Sequence, residues 1–152
     1  MRRILITFEN GESFPATLQE DKSPQTCQIV WEALPFSQTV KHSRWSGREV
    51  NFEFSSTTMP KRENQTISTS IGEVIYWRDW PRESEPDVLE VLAIYYGAEH
   101  TRSHKGDELV NVFAQIDYAY LDLLQKVGER IWLSGTEKVT ISKLEESKAR
   151  IE

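Results

Sequence analysis

One predicted strand carries a histidine and an arginine on the same face as two apolar residues, and this pattern is the one in the chain best suited to ligand chemistry. If the strand over residues 36–45 is regular, five side chains share a face: Phe36, Gln38, Val40, His42 and Arg44. Because Phe36 and Val40 mark the core face, His42 and Arg44 would point inward near the strand end. A guanidinium buried without a partner costs several kcal/mol. Inward His42 and Arg44 would therefore line a pocket.

Two other arrangements of the same strand remain open. In the first, Arg44 pairs with an internal carboxylate, either Glu73 or Glu90. In the second, a bulge before Trp45 turns Arg44 towards solvent, and His42 only bonds a backbone carbonyl. The sequence does not decide among the three.

Three further side chains are candidates for the walls of such a pocket. Trp45 stands at the shoulder of a tight turn, and Glu63 lies in a long polar loop that could fold over a pocket. The pair Tyr95 and Tyr96 ends an apolar strand, so one ring faces each side, and a tyrosine hydroxyl could reach a ligand. We therefore assign ligand binding to His42, Arg44, Trp45, Glu63 and Tyr96.

Other reactive residue types do not form a recognisable site. Cys27 lies on the apolar face of a predicted helix, which favours a small buried side chain over a reactive thiol. His100 and His104 lack a third ligand in register, so we predict no metal site. Glu49 is predicted to be an exposed surface charge. No phosphate-binding loop or nucleophile motif is present, so no cofactor and no catalytic residue are assigned.

Composition narrows the classes of protein and partner. The chain has 152 residues, the size of one domain, with 24 acidic against 18 basic residues and a formal net charge of −6. The acidic balance argues against nucleic acid as a partner. No apolar segment is long enough for a transmembrane helix or a secretory signal. We therefore expect a cytoplasmic protein that binds a small molecule or short peptide, with no membrane partner and with a homo-oligomer left open.

Hydrophobic periodicity predicts many short strands and only two helices. Strands are predicted at 3–9, 13–19, 70–77, 88–96, 109–116 and 138–141, with a pair of strands within 36–54. One helix is predicted from Ser23-Pro24, with Ser23 as its N-cap, to Pro35, and another from Asp117 to Gly135. This order favours a mainly β fold, a closed or nearly closed barrel with helices over its ends. We expect one domain over residues 1–142 and a charged tail over 143–152.

Several short runs resemble a known fold family. The run from Glu20 to Cys27, followed by a helix and a strand bearing His42 and Arg44, resembles the opening of cyclophilins. More closely, His42-Ser43-Arg44-Trp45-Ser46-Gly47, Glu63-Asn64-Gln65-Thr66 and Ile71-Gly72-Glu73-Val74 resemble a prokaryotic cyclophilin-like family of unknown function. The resemblance covers about residues 2–135 and implies an eight-stranded barrel closed by two helices. The Phe-His-Arg run of active prolyl isomerases is not matched, since Ser43 precedes Arg44. Their Gln-Gly-Gly-Asp run is also absent between residues 46 and 60.

These observations lead to two functional hypotheses. In the first, the barrel pocket binds a small anionic or amide-bearing metabolite through Arg44 and His42, because a guanidinium offers a bidentate fork to such groups. The same pocket could serve a hydrolase or lyase with His42 as general base. In the second, Arg44 polarises a prolyl amide, and the protein is a weak or altered prolyl cis/trans isomerase. A purely structural or oligomeric role is a third alternative.

Overall fold

The computed structural model describes residues 1–43, 46–82, 85 and 87–145. The two helices are α1 (Pro24–Ala33) and α2 (Leu121–Ser134). The longer strands are β1 (Arg3–Phe8), β2 (Ser13–Leu18), β3 (Phe36–Val40), β4 (Glu49–Phe54), β7 (Glu73–Arg78), β8 (Glu90–Tyr95), β12 (Val110–Ile116) and β13 (Glu137–Leu144). Two-residue strands are β5 (Gln65–Thr66), β6 (Ser68–Thr69), β9 (Glu99–His100), β10 (Arg102–Ser103) and β11 (Gly106–Asp107).

The eight longer strands form a nearly closed antiparallel barrel. Their order is β3-β13-β1-β2-β12-β7-β8-β4, and every neighbouring pair is antiparallel. The first and last strands meet where Lys41 and Asn51 exchange two backbone hydrogen bonds, of 2.9 and 2.8 Å. Closure of this kind removes the exposed strand edges that an open sheet would leave. The predicted mainly β barrel with two helices is confirmed.

Alternation of side chains fills the barrel interior. In β1, Ile4, Ile6 and Phe8 are buried while the residues between them are half-buried, as period-two patterning predicts. The interior also holds the rings of Phe14 and Phe52. It is therefore a packed core rather than an open channel.

The two helices close opposite ends of this core. Helix α1 lies at the end where β1 begins and β12 begins, since Cys27 Sγ donates to the Phe113 carbonyl at 3.3 Å. Helix α2 lies at the other end, where β8 terminates, and its buried residues are Leu124, Val127, Gly128 and Ile131. Cys27 is fully buried, as predicted, and burial raises the pKa of its thiol to about 12.

The start of α1 is predicted correctly, but its cap is not the expected one. The Ser23 hydroxyl makes no bond to the helix and instead donates to the Val112 carbonyl at 2.6 Å. The Glu63 carboxylate accepts hydrogen bonds from the free backbone N–H groups of Gln25 and Thr26, at 3.3 and 2.6 Å. A side chain from a distant loop thus does what an N-cap residue usually does.

The C-terminal strand is longer than predicted. Strand β13 runs to Leu144, whereas the sequence pattern predicted a strand over 138–141. Its extension is fixed by pairing along the whole length of β1, from Phe8↔Val139 to Arg3↔Leu144. Most of the predicted tail, residues 146–152, lies outside the described residues. Within the described ranges, no helix is long and apolar enough to cross a membrane.

Candidate functional site

A cavity of about 220 Å³ lies on the outer face of the barrel, and we call it the outer cavity. Its floor is the outward face of β4, β8 and β7, and its cover is the loop over residues 97–109, called here the covering loop. Seventeen residues line it: Lys41, Ser43, Ser46, Glu49, Asn51, Glu53, Ile75, Trp77, Leu89, Val91, Ala93, Tyr95, Arg102, Ser103, His104, Glu108 and Val110. The volume is below the roughly 300–1,000 Å³ of drug-sized ligand sites, so the space suits a small ligand.

Strand register places polar and apolar residues on different sides of the floor. Asn51 pairs with Ala93, which pairs with Ile75 on the far strand. All side chains of this row point outward, because the intervening residues of each strand enter the core. The β4 side of the floor is therefore polar, the β7 side is apolar, and the small Ala93 lies between them.

Glu49 is the most unusual side chain of the outer cavity. It is only 4% exposed, although it is acidic and lies on the outer face. Its Oε1 accepts hydrogen bonds from the Ser46 hydroxyl and from Asn51 Nδ2, the latter at 3.0 Å. Its Oε2 is buried and has no hydrogen-bond partner within the described part of the chain. Burial raises the pKa of the carboxyl from 4.5 to about 7, and the bonds from Ser46 and Asn51 offset part of that rise.

The turn before β4 sets the position of Glu49. Gly47 has a φ of +89°, a conformation that L side chains rarely adopt, and a Cβ there would lie 2.7 Å from the Glu99 side chain. The following residue, Arg48, forms an ion pair of 2.7 Å with Glu99 in the covering loop. The turn and the loop therefore pack tightly against each other beside Ser46 and Glu49.

Trp77 presents a second polar atom without a partner. Its indole Nε1 is buried and has no acceptor among the residues that the structure describes. Trp77 pairs through Val91 with Glu53, so it stands two strands across and four residues along from Glu49. Trp77 Nε1 and Glu49 Oε2, which both lack a hydrogen-bond partner among the described residues, thus belong to opposite corners of the floor. The surface between these corners is apolar.

The covering loop is held in place by several contacts. Thr101 is fully buried, and its backbone N–H donates to the Ile67 carbonyl at 2.8 Å. Trp80 Nε1 donates to the carbonyl of Leu109 at 2.7 Å, and Lys105 forms an ion pair of 2.8 Å with Asp79. These bonds give the outer cavity a defined cover.

His42 and Tyr96, two of the residues predicted to bind a ligand, lie together at the α2 end of the barrel. His42 Nε2 and the Tyr96 hydroxyl share a hydrogen bond of 2.6 Å, and the His42 ring contacts the edge of Trp132. The Tyr96 ring also lies against Gly128 of α2. Neither residue lines the outer cavity, and their predicted ligand-binding role stays a prediction.

The other predicted site residues are elsewhere. Glu63 lies against the N-terminus of α1, as described above, and does not join His42 and Tyr96. Arg44 and Trp45 lie outside the described residues, so the predicted inward position of Arg44 also stays a prediction. In the sequence they fall between Ser43 and Ser46, both of which line the outer cavity.

The burial of Glu49 corrects the prediction that it is an exposed surface charge. On β4 alone, the alternation of Glu49, Asn51 and Glu53 with apolar residues is typical of a strand with one solvated face. In the structure, Glu49 and Asn51 of that face are buried beside the covering loop, while Glu53 is exposed. A signal was present in the neighbouring strand, since Val91, Ala93 and Tyr95 make the second face of β8 apolar as well.

Comparison with known proteins identifies the family. Residues 6–143 match the family described as "Protein of unknown function (DUF3830)". The chain belongs to this family. No curated protein matches the sequence.

Solved structures share the fold of this DUF3830 member. One is described as "Structure of McbB in complex with tryptophan"; it has a TM-score of 0.70 and 16% identity over 95% of this chain. The match covers 45% of McbB, so the chain spans less than half of that protein. A second is the solution structure of the hypothetical protein AF2241 from Archaeoglobus fulgidus, with a TM-score of 0.59 and 21% identity over 94% of this chain and 95% of that one.

The DUF3830 member offers no metal centre within its described residues. No group of three or more His, Cys, Asp or Glu side chains there could hold a metal ion. His100 pairs with Asp107 at 3.1 Å, and His104 lines the outer cavity. The outer cavity is therefore the arrangement from which a function can be argued.

Proposed function

We propose that this protein binds a small amide-bearing molecule in the outer cavity. The observation that carries the proposal is Glu49, a buried residue that lines the cavity and whose Oε2 has no hydrogen-bond partner among the described residues. A buried polar atom left without a hydrogen bond costs about 1–3 kcal/mol. Such an atom in a native protein calls for a functional reason, and a ligand that bonds to it provides one.

The floor beside Glu49 indicates what kind of ligand fits. Trp77 lies four residues along and two strands across from Glu49, roughly 13 Å by about 10 Å, so a ligand small enough for the cavity bonds to Glu49 without reaching Trp77. The floor between them is apolar and is formed by Ile75, Val91 and Ala93. An amide N–H can donate to Glu49 Oε2, and a flat aromatic body suits the apolar floor.

Charge in the outer cavity favours a ligand without net charge. Its cationic lining residues are Lys41 and Arg102, and its acidic ones are Glu49, Glu53 and Glu108. The described lining is thus nearly balanced and gives a simple anion no electrostatic advantage. Of the two ligand classes expected from the sequence, the amide-bearing one is therefore favoured over the anionic one.

The test is a thermal-shift panel with tryptophan, tryptophanamide, indoleacetate and a short prolyl peptide. Tryptophan is included because McbB, which shares the fold, is described in complex with it. A ligand at about 100 times its Kd adds roughly 2.7 kcal/mol of stability, which is about 5–10 °C for a domain of this size. We expect tryptophanamide to raise the Tm most.

Two variants, each replacing an alanine by leucine, locate the site. Ala93→Leu fills the centre of the floor and should abolish the shift, whereas Ala98→Leu makes the same change at an exposed position of the covering loop and should preserve it. If Ala93→Leu retains the shift while Arg44→Ala or His42→Ala loses it, the ligand binds in the pocket predicted from the sequence and the outer cavity is not the site.

Cyclophilin-like activity remains a prediction from the resemblance. Its arginine would be Arg44, which lies outside the described residues. The prolyl peptide in the panel tests it, because a shift with that peptide alone, lost in Arg44→Ala, would favour the isomerase hypothesis over an amide-binding cavity.

A further inference from the structure

The two oxygens of the Glu49 carboxylate have different surroundings. Oε1 is anchored by Ser46 and Asn51, and Asn51 Nδ2 bonds in addition to the Ser43 hydroxyl at 3.0 Å. Oε2 is buried and has no partner among the described residues, and the Glu49 side chain lines the outer cavity. The carboxylate is thus held in one orientation by its first oxygen, and its second oxygen makes no competing hydrogen bond within the described structure.

The hydrogen bonds available to Ser46 are consistent with a proton on this carboxyl group. The Ser46 hydroxyl has one hydrogen, yet two acceptors lie within reach, the Ser43 carbonyl at 2.7 Å and Glu49 Oε1. When the hydrogen is donated to Ser43, the contact between Ser46 and Glu49 needs a proton on the carboxyl. When it is donated to Glu49, the carboxylate can be ionised. The site therefore accommodates both protonation states with little movement.

The charged groups around Glu49 do not fix either state. Tyr95, its register partner on β8, is a buried phenol whose pKa is raised by burial and by the negative charges of Glu49 and Glu99. The other titratable or charged residues that line the cavity come from the β3–β4 connection, β4 and the covering loop: Lys41, Glu53, Arg102, His104 and Glu108. Among the described residues, none forms an ion pair with Glu49. Burial consequently dominates and raises the pKa of Glu49 to about 7.

We propose that Glu49 exchanges a proton with the molecule bound in the outer cavity, as the general base for a carbon acid with an adjacent amide group. This inference rests on the proposed function. In the step, ionised Oε2 takes the proton from carbon and becomes the acid, while the C–H electron pair moves into the amide carbonyl as an enolate. Return of the proton to the same carbon or to a neighbouring one completes the reaction without a co-reactant.

The lining of the outer cavity supports this chemistry at two points. Lys41 and Arg102 line the same cavity, and their positive charges favour a bound enolate over a neutral carbonyl. The apolar floor of Ile75, Val91 and Ala93 limits water, which would otherwise stabilise the ionised carboxylate and weaken it as a base.

A nitrobenzisoxazole tests the inference without knowledge of the natural substrate. It is a small flat aromatic molecule, and a base opens it by taking its single C–H proton: the C–H pair forms the nitrile, the N–O bond breaks, and a coloured phenolate leaves. Binding is measured by thermal shift, and ring opening by absorbance, on the same samples. The variants are Glu49→Gln and, as the same chemical change at an exposed carboxylate that does not line the cavity, Glu32→Gln on helix α1.

We expect the wild type to open the ring at a rate that rises with pH and levels off above about 7. Glu49→Gln should lose roughly 100-fold or more, the range for a general base, and Glu32→Gln should keep most of the rate. Binding without Glu49-dependent ring opening would overturn the inference and leave the binding proposal intact. Absence of binding and ring opening with this probe, when tryptophanamide still raises the Tm, would overturn the inference alone, whereas no shift with either molecule would overturn both.

Discussion

At the scale of single residues, burial of Glu49 destabilises the ionised carboxylate that the proposed chemistry needs. An acidic side chain at 4% exposure is expensive to ionise, and the two hydrogen bonds to Oε1 recover only part of that cost. Replacing it with an apolar residue would be better for stability. The carboxyl group is therefore easier to explain by the ligand that its second oxygen can reach than by the fold.

This opposition predicts a specific dependence of stability on pH. The folded-state pKa of Glu49 is raised from 4.5 to about 7, so the folded protein binds more protons than the unfolded chain between these values. Stability from this group is fully present below about 4.5 and is lost as pH rises through about 7. The loss is on the order of 3 kcal/mol. Urea unfolding at pH 5 and pH 8 should show it in the wild type and in Glu53→Gln, but not in Glu49→Gln. Parallel pH profiles for all three proteins would contradict the assignment.

At the scale of elements, helix α1 depends on a loop that is distant in sequence. Glu63 binds the N–H groups of Gln25 and Thr26, while Ser23, the expected cap, is bonded to strand β12. A carboxylate at a helix N-terminus also interacts favourably with the helix dipole. The long loop over residues 55–64 is thereby tied to the helix that closes one barrel end.

We predict that Glu63→Ala lowers the free energy of unfolding by about 1 kcal/mol, as loss of an N-cap usually does. The affinity for a ligand of the outer cavity should not change, because Glu63 does not line it. Glu32→Ala is the matched control, since Glu32 lies in the last turn of the same helix, where a negative charge gains nothing from the dipole. Unchanged stability with lost binding would instead support the ligand-binding role predicted for Glu63 from the sequence.

The elements themselves could be predicted from sequence because their signals are local. Ile4, Ile6 and Phe8 alternate along one strand, and Leu124, Val127 and Ile131 recur at helical spacing, so each segment shows its own buried face. The cap of α1 could not be predicted, because it joins residues almost 40 positions apart.

The candidate site could not be predicted from local sequence patterns either, because it also depends on residues that are far apart in the chain. Glu49 follows a pattern that normally means a solvated strand face, and its burial depends on a loop about 50 residues later in the chain. His42 and Tyr96 were predicted to share a site, and they do lie together, but at the α2 end. The sequence therefore shows which residues could take part in chemistry more readily than it shows where those residues are buried.

At the scale of the whole molecule, two regions bury polar groups, and they have different characters. The outer cavity leaves a carboxylate oxygen and an indole N–H without partners in the described structure. At the α2 end, the Tyr96 hydroxyl is bonded to His42, the His42 ring packs against Trp132, and Tyr96 is 5% exposed. The first region has room for a ligand, and the second is occupied by the packing of helix against barrel.

The second region gives a prediction about how α2 closes the barrel. A Cβ at Gly128 would lie 2.3 Å from the Tyr96 ring, so the helix approaches the barrel closely only because residue 128 is glycine. Alanine normally stabilises a helix interior by about 1 kcal/mol over glycine, but overpacking of a buried contact costs about 1–3 kcal/mol. We therefore expect Gly128→Ala to be destabilising by chemical denaturation.

A double-mutant cycle with Tyr96→Ala separates these two effects. Once the ring is removed, the collision disappears and only the helix-forming advantage of alanine remains. Gly128→Ala should then be neutral or stabilising in the Tyr96→Ala background, which reverses the sign of its effect. An equal loss of stability in both backgrounds would mean that the glycine is needed for some reason other than its contact with Tyr96. The sign reversal would show that the Tyr96 ring packs α2 against this end of the barrel and that glycine at residue 128 is what permits the close approach.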